Sequence, residues 1–592
     1  MTGDGIRRAG QFVSRFPTAT EFGIVIFLWM LSVAVVNPVG EFPIIDDGLY
    51  ESIVKHLLNT GEFPNPEPAS ATLLTNIFWG TGFCLAYGVS FTALRISTLV
   101  ASLLGLFGVL VLARDLRISL YLRLLTVLTL AFSPAYHTLS YSFMTDVPFA
   151  ALVIWSSVFF VKSLQSRSLI YLATATILTV VAALSRQIAL AMPIAYIISL
   201  FLKDDRLLSW NKILRASVPV FLPVAALWGY FRILANANRL PITYNFFSNI
   251  MISTLTHGSA LEKVPFINVY ITALYLGLFL LPVLLASAGG LSGYKGKIFW
   301  FLFIASLTPA AVGALIRRGV GLSDLVPLAE SHVLVPSGIG LLWLRGAEGV
   351  PVLSSGFWDL VTGLAVLGSI LFLAQLSAVS GDLAHLIKGR SLSTGHQVGV
   401  LFLVLSGLIL LCPYLFTGAS DRYLTPALPL LAVAVASASA WRPHITGRMS
   451  GIARTSATTL LIGAMIFSMI GTRDYLAWHR IAAAASEELI GHSHIQPEHI
   501  DGGVEFDAYY PAYQGHEKEI DFSDLENDPS GYVFTEEIKS QAKVVERVSW
   551  RPPTVQYIIG FESAPGYSAI QEYSYYNWMP PHRQRILVLR RN

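Results

Sequence analysis

The sequence predicts a mainly α-helical, polytopic membrane protein that carries a small α/β domain at its C-terminal end. Of its 592 residues, 54% are hydrophobic and only 13% are charged, against about 25% charged in an ordinary soluble domain. Apolar runs of about 20 residues, the length of helix that crosses roughly 30 Å of hydrocarbon, recur along most of the chain. They stop near residue 472, which divides the chain into a membrane domain, 1–472, and a soluble domain, 473–592.

About 13 segments are long and apolar enough to be transmembrane helices. They lie near 21–37, 93–113, 122–140, 147–163, 168–186, 187–202, 216–234, 266–289, 297–316, 357–378, 397–416, 423–440 and 454–471. A further apolar stretch, 71–90, contains Gly, Trp and Tyr, which favours a helix at the membrane interface within the first loop, 38–92.

Basic residues predict the orientation, since Lys and Arg favour cytoplasmic loops. The N-terminal segment and the loops that follow the second, fourth and sixth spans carry clusters of them. With an odd number of spans, the N-terminus is then cytoplasmic and the C-terminal domain is extracytoplasmic. This topology also brings a set of acids to the outer face, namely Asp46, Asp47, Asp146, Glu262, Asp324, Glu330 and Asp421.

The tail changes pattern. Residues 472–492 predict an amphipathic helix, because Tyr475, Leu476, Ile481 and Leu489 are spaced for one helical face. Short β-branched and aromatic runs follow and predict strands. These runs are 531–535, 543–550, 554–561 and 585–591.

Two neighbouring acids, Asp46 and Asp47, follow the first span directly and begin a predicted short helix. A carboxylate pair can supply a general base together with either a metal ligand or a partner that raises the pKa of the base. Acids in the first turn of a helix also cap free N–H groups and complement the helix dipole. That structural explanation suits Asp47 better than Asp46, because a cap needs only one carboxylate.

A third acid, Asp146, falls at the start of a predicted span on the same face. A carboxylate next to apolar spans is costly unless it has a partner or a function, so its position indicates a functional site. Capping of the helix that opens with Val147 and Pro148 is the structural alternative.

Arginines on the outer face are unexpected, because Lys and Arg favour cytoplasmic loops. Their positions therefore need a functional or structural explanation. Arg186 lies at an outer turn, and Arg422 lies at the outer start of a late span. A guanidinium binds phosphate through two charge-assisted hydrogen bonds. Snorkelling or pairing with a local acid, such as Asp421 beside Arg422, is the alternative. Further cationic candidates are Arg95, Arg232, Arg239, Arg317 and Arg318.

Metal binding has only weak support. Four histidines, His56, His137, His257 and His332, fall on the outer face, but their spacings match no metal motif. Asp47 and His56 are the two candidate ligands for a divalent cation such as Mg or Mn. The sequence has no glycine-rich phosphate loop, no HExxH, no GxSxG and no basic aromatic-rich surface for nucleic acid.

Five segments together resemble the C-type superfamily of integral-membrane glycosyltransferases, close to the protein O-mannosyltransferases and the lipid A aminoarabinose transferase. They are IIDDGLYESIVKHLLNTGEF, FTALRISTLVASLLGLFGVLVLARDL, LAFSPAYHTLSYSFMTDVPFAALV, ALSRQIAL and DRYLTPALPLL. The resemblance covers most of the membrane domain, and the segments occur in the order expected of the superfamily.

The resemblance implies transfer of a sugar from a polyprenyl-phosphate carrier, such as undecaprenyl phosphate, to an extracytoplasmic lipid, glycan or protein, with inversion. It implies a place in a bacterial cytoplasmic membrane. Asp46 matches the catalytic acid of the first loop, Asp47 its companion, where Glu is common, and Asp146 the second acidic motif. The remaining matches are candidates for binding the carrier phosphate and substrate, namely Arg186, where Lys is frequent, the Arg422–Tyr423 pair, and Tyr50.

Two other classes of protein also place charged residues in a helical bundle. A secondary transporter or lipid flippase usually holds such groups near the bilayer midplane, often with internal repeats. Here the acids cluster at one surface, and the two halves of the chain do not mirror each other. A non-catalytic subunit of an envelope assembly complex is the third interpretation, with the acidic tail as its docking surface.

Overall fold

The computed structural model describes residues 17–64, 69, 71–203, 209–241, 244, 252, 264–288, 326–327, 333–388, 395–417, 420–439, 448–510 and 555–592. The described part is mainly helical and ends in a small sheet, which confirms the predicted fold class. Eight of its helices are long and apolar enough to cross a membrane, so the chain is a multi-pass membrane protein.

The first half of the chain contains eleven α-helices in the described residues. They are α1 Pro17–Val36, α2 Asp47–Thr60, α3 Leu74–Tyr87, α4 Phe91–Asp115, α5 Leu120–Ala131, α6 Pro134–Leu139, α7 Asp146–Ser166, α8 Leu169–Ala183, α9 Ala191–Lys203, α10 Trp210–Asn236 and α11 Val264–Ser287. A 3₁₀ turn, Gln187–Leu190, precedes α9.

In the described residues, the second half contains six further α-helices, six strands and several short turns, of which one 3₁₀ turn belongs to the site. They are β1 Leu334–Val335, β2 Gly338–Ile339, α12 Ser355–Lys388, α13 Gly395–Leu411, α14 Tyr414–Thr417, the 3₁₀ turn Asp421–Leu424, α15 Leu428–Ser439, α16 Arg448–Glu487, β3 Ile500–Asp501, α17 Val504–Tyr509, β4 Tyr557–Gly560, β5 Tyr567–Trp578 and β6 Pro581–Arg591.

The predicted count of about 13 spans is not reproduced as 13 full-length helices. Twelve predicted spans coincide with apolar helices, but four of these helices, Leu120–Ala131, Leu169–Ala183, Gln187–Lys203 and Leu428–Ala438, have fewer than 18 residues. The predicted span 297–316 lies outside the described residues. Length alone therefore separates the spanning helices from shorter ones that pack among them.

The predicted span 122–140 is interrupted, and the cause is Pro134. Helix α5 ends at Ala131, Ser133 adopts an extended conformation, and α6 starts with Pro134 at its first position. Proline lacks the N–H that would continue α5 and pushes the preceding residue out of the helical region, while it suits the first position of a new helix. Every residue from 131 to 150 is buried, so this interrupted stretch lies in the interior of the protein.

The amphipathic helix predicted for 472–492 is not a separate element. Residues 472–487 are the last part of α16, a single helix of 40 residues that continues from the last predicted span, and a π-helical turn follows over Glu488–His492. The domain boundary predicted at residue 473 therefore falls inside a continuous helix. The apolar face that the sequence indicates is real, because Tyr475, Leu476 and Leu489 are buried.

The C-terminal sheet has the strand order β3-β4-β6-β5, with β4 and β5 antiparallel to β6. Strands β4 and β6 confirm the predictions at 554–561 and 585–591, whereas 531–535 and 543–550 lie outside the described residues. The long edge strand β5 was not predicted, because its residues are mostly exposed and show no alternation of apolar and polar side chains.

The sheet is attached to α16 by hydrogen bonds of two neighbouring residues, Asp474 and Arg473. The Oδ2 atom of Asp474 accepts hydrogen bonds from the backbone N–H groups of Trp578 and Met579, each at 2.8 Å. Next to it, Arg473 donates to the carbonyl of Tyr576 at 2.6 Å. These bonds fix the β5–β6 turn against the end of the membrane domain.

Candidate active site

The loop between α1 and α2 carries the acid pair, and Arg95 of α4 holds it. The Arg95 side chain is fully buried and donates to the carbonyls of Pro38, at 3.3 Å, and Gly40, at 2.8 Å, and to that of Phe42. Its guanidinium also lies 3.9 Å from the centre of the Phe42 ring. Arg95, a candidate cation from the sequence, therefore binds the protein's own backbone.

Asp47 is completely buried. Its Oδ1 accepts from the N–H of Ile44 at 2.5 Å and its Oδ2 from the N–H of Phe143 at 3.2 Å. Burial raises the pKa of this carboxyl from 3.8 to about 7, against the opposing effect of Arg95 and the two N–H donors. The side chain joins the first loop to the segment that precedes α7, which is a structural position.

Asp46 has the opposite character. It occupies the N-cap position of α2, but its side chain makes no capping hydrogen bond. The side chain is 51% exposed, and its Oδ2 lies 3.8 Å from Nη2 of Arg422. Of the pair, Asp46 is thus the carboxylate that an incoming molecule can reach.

Asp146 and Arg186 form a buried ion pair. Nη2 of Arg186 lies 3.0 Å from Oδ2 of Asp146, and Nε of Arg186 donates to Oγ1 of Thr145 at 2.8 Å. Asp146 is the first residue of α7, yet neither of its carboxylate oxygens accepts a hydrogen bond. Its charge is therefore compensated by cations and not by hydrogen bonds, with Arg186 in direct contact and Arg422 within its electrostatic field.

Arg422 lies in the 3₁₀ turn Asp421–Leu424, with its side chain only 11% exposed and its Nε buried without a hydrogen-bond partner. The neighbouring Asp421 accepts from the backbone N–H groups of Val333, Leu334 and Arg422. That carboxylate is thus used to fix the turn. The carboxylate that faces the Arg422 guanidinium is Asp46.

Tyrosines complete the surroundings. Tyr50, one turn after Asp46 on α2, is buried in the electrostatic field of Asp46, Arg422 and both members of the Asp146–Arg186 pair. Burial raises the pKa of its hydroxyl, so it stays protonated as a hydrogen-bond donor. Tyr423 is half-buried and stacks on Tyr414 with ring centres 4.6 Å apart.

The structure therefore brings Asp46, Tyr50, Asp146, Arg186 and Arg422 into one electrostatic cluster, with Tyr423 at its edge. The cluster draws on the first loop, the start of α7, the turn before α9 and the turn before α15. Asp47 lies directly behind it in the protein interior.

Other sequence candidates lie elsewhere. His137 is buried between Ser32 and Thr472, at 2.7 and 3.0 Å. Arg239 pairs with Glu62, and Arg232 lies against Trp228. Residues Arg317, Arg318, His257 and His332 lie outside the described residues.

The suggested metal ligands do not come together. Asp47 is buried with both oxygens accepting backbone N–H groups, whereas His56 is exposed on the same helix, nine positions along. Nine positions amount to two and a half helical turns, so the two side chains leave α2 on opposite sides. Within the described ranges, no group of three or more His, Cys, Asp or Glu side chains could hold a metal ion.

The sequence did not indicate the residues that come from the end of the chain. Tyr475 is buried with its hydroxyl unpartnered and lies in the field of Glu505, Asp47 and Asp46. Glu505 is buried too, with Oε1 3.5 Å from Nε2 of His479. The only available signal was that Tyr475 belongs to the apolar face of a predicted amphipathic helix.

Most of the chain is similar to solved structures of two other proteins. One is the archaeal oligosaccharyltransferase AglB from Archaeoglobus fulgidus, in complex with an inhibitory peptide and a dolichol-phosphate. It is 14% identical with a TM-score of 0.41, over 92% of this chain and 70% of that chain. The other is ArnT from Cupriavidus metallidurans bound to undecaprenyl phosphate. It is 11% identical with a TM-score of 0.37, over 96% of this chain and 97% of that chain. No protein-family model matches the chain, and no curated protein matches it.

Proposed function

We propose that the chain is an inverting glycosyltransferase that moves a sugar from a polyprenyl-phosphate carrier to a lipid, glycan or protein acceptor on the outer face of a bacterial cytoplasmic membrane. The observation that carries the proposal is the Asp46–Arg422 contact at 3.8 Å, in which an accessible carboxylate faces a nearly buried guanidinium. A base and a phosphate-binding cation are thereby adjacent, as displacement of a sugar from a phosphate requires.

In this mechanism Asp46 accepts the proton of the acceptor hydroxyl as its oxygen attacks the anomeric carbon. The bond from that carbon to the carrier phosphate breaks, and its electron pair remains on the phosphate oxygen. The products are the glycosylated acceptor and polyprenyl phosphate. A single displacement inverts the anomeric carbon, and no nucleotide is consumed because the donor is already activated.

Proton transfer and charge stabilisation are coupled through Arg422. Before the reaction, Asp46 shares the charge of this guanidinium. Once Asp46 has taken the proton, Arg422 no longer has an anionic partner there, and its charge is available to the phosphate that is leaving. Arg186 adds a second guanidinium, although the buried Asp146 already compensates much of its charge.

The remaining residues have supporting roles in the proposal. The hydroxyl of Tyr50 can donate to a phosphate or sugar oxygen, and the face of Tyr423 can contact the sugar or the carrier. Asp47 acts behind Asp46 by fixing the loop through the N–H groups of Ile44 and Phe143. The topology that this requires has a cytoplasmic N-terminus and an outer C-terminal domain.

The test is transfer by purified protein supplied with undecaprenyl-phosphate sugars and candidate acceptors, compared with the Asp46→Asn variant. We expect Asp46→Asn to lower the rate by about 10²–10⁴-fold, the usual contribution of a general base, with unchanged membrane insertion. The control is Glu62→Gln, which changes an exposed carboxylate of the same loop. Wild-type transfer by Asp46→Asn would refute the proposed base, and carrier translocation without covalent transfer would favour a flippase.

A further inference from the structure

The segment that leads to the acid pair is held from two sides. Residues 37–42 belong to no helix or strand, so regular secondary structure supplies no partners for their carbonyls. The carbonyls of Pro38, Gly40 and Phe42 accept from Arg95 of α4. The carbonyls of Asn37 and Val39, which alternate with these along the sequence, need other donors.

Those donors come from Arg480, near the C-terminal end of α16. Its Nε donates to the carbonyl of Val39 at 2.8 Å, and its Nη2 donates to that of Asn37 and, at 3.4 Å, to that of Val36. The carbonyls of a helix's last turn lack partners within the helix. Arg480 thus both caps α1 and supplies the second row of hydrogen bonds to the loop.

Side-chain packing on the same side supports this arrangement. The His479 ring stacks on Phe42 with ring centres 5.7 Å apart. Gly40 has a φ of +147°, and a Cβ there would meet Phe42 and lie 3.3 Å from Cγ of Arg480. A glycine at position 40 therefore suits both this backbone angle and the position of the Phe42 ring that stacks on His479.

A third contact reaches the acid-bearing helix itself. Tyr509 of α17 lies against Gly48, where a Cβ would come within 3.3 Å of its ring. Its hydroxyl also bonds to the carboxyl of Glu51, and its ring lies 5.5 Å from that of Phe91. The chain after the last span therefore contacts the loop before Asp46 and the helix after it.

We propose that Arg480 is a positioning residue, which holds the first loop so that Asp46 faces Arg422. This inference rests on the proposed function for its catalytic consequence and on the loop contacts for its structural part. Without Arg480, the carbonyls of Val36, Asn37 and Val39 lose a donor, and the hydrogen bonds of Arg95 and Asp47 hold the loop mainly from its other side. Asp46, which has no capping bond of its own, is then held less firmly in its position relative to Arg422.

The experiment compares wild type with Arg480→Ala and Arg480→Lys by amide hydrogen exchange in detergent, followed by transfer kinetics. We expect exchange in residues 38–47 to accelerate at least about tenfold in Arg480→Ala, which corresponds to about 1.4 kcal/mol of lost local protection. Arg480→Lys keeps the charge but not the planar fork, so it should be intermediate. The matched control is Arg585→Ala, an exposed arginine of β6 that pairs with Glu572.

In the kinetic arm, kcat should fall by about 10²-fold, as small misplacements of reacting groups do, with an unchanged KM for the carrier-linked sugar. Exchange within α4 and α7 serves as the folding control for each variant. Unaltered exchange in residues 38–47 would overturn the inference, even if transfer were lost. A wild-type protein without any transfer activity would instead overturn the proposed function, and the exchange result would still decide the role of Arg480.

Discussion

Nη2 of Arg422 lies 3.8 Å from Oδ2 of Asp46, although the two residues come from opposite ends of the membrane domain. The distance is longer than a good charge-assisted hydrogen bond. The Nε atom of the same guanidinium is buried without a hydrogen-bond partner. A nearly buried cation in this state is suited to an anionic ligand that arrives from outside.

Arg422→Lys and Arg422→Gln test that expectation. We expect the Lys variant to lose about 10-fold and the Gln variant about 10²–10³-fold in kcat/KM for the carrier-linked sugar, because Lys keeps the charge without the fork and Gln keeps neither. Initial rates measured against carrier concentration provide the comparison. The control is Arg454→Ala, which changes an exposed arginine near the N-terminal end of α16. If Arg422→Lys and Arg422→Gln had the same kcat/KM as wild type and the control, phosphate binding at Arg422 would be contradicted.

The sequence predicts those features of the site that depend on residues close together in the chain, and it does not predict contacts between distant ones. Hydropathy is a property of neighbouring residues, and the membrane helices follow from it almost throughout. The acid pair was also visible, because Asp46 and Asp47 stand in a segment of unusual composition. The sequence does not show which of the two carboxylates is buried. The N–H group that binds Asp47 belongs to Phe143, which is distant in the sequence.

The roles of the arginines were the least predictable part. Arg95, Arg186 and Arg422 are all predicted to lie near the outer face, and composition gives no reason to separate them. The structure separates them by their partners, which are loop carbonyls for Arg95, Asp146 for Arg186 and Asp46 for Arg422. The interruption of the predicted span 122–140 at Pro134 is a different case. The proline is present in the sequence, but hydropathy alone does not register that a proline ends a helix.

The Asp146–Arg186 pair should behave as a thermodynamic unit. Arg186→Gln leaves a buried carboxylate without its cation, and breaking such a pair costs about 3–5 kcal/mol. Adding Asp146→Asn removes the stranded charge, so the double variant should recover most of the stability but not the transfer activity. Unfolding in detergent and transfer assays measure the two properties separately.

Arg239→Gln is the control for that cycle, because its ion pair with Glu62 is exposed and already solvated. It should change stability little. If Arg186→Gln were as stable as wild type at neutral pH, the ion pair would not be holding the charge of Asp146.

The proposed topology places α2 outside the cytoplasm. A cysteine at the exposed Ser52 should therefore react with a membrane-impermeant maleimide in intact cells, whereas one at Arg454 should react only after lysis. The background is a chain in which the exposed Cys412 and the buried Cys84 are replaced by serine. Labelling of the residue 52 cysteine only after lysis would place Asp46 in the cytoplasm and rule out the proposed reaction.

The buried Asp47 predicts a pH dependence of stability with a definite sign. Its folded-state pKa of about 7 lies above the unfolded value of 3.8, because burial disfavours the charged form. Between these values the folded protein binds a proton that the unfolded chain has released. The free energy of unfolding therefore falls as pH rises through this window, by at most about 1.4 kcal/mol per pH unit, and levels off above about pH 7.

Asp47→Asn removes that titration and exposes its effect. An asparagine can accept only one of the N–H groups of Ile44 and Phe143, so the variant should be less stable than wild type at pH 5. The difference should shrink as pH rises from 5 to 7, because only wild type then pays for ionising a buried carboxyl. Ser52→Ala, which alters an exposed neutral side chain of the same helix, should keep the wild-type slope. Parallel profiles for wild type and Asp47→Asn would mean that Asp47 does not titrate in this range, and that the loop is held by an ionised carboxylate.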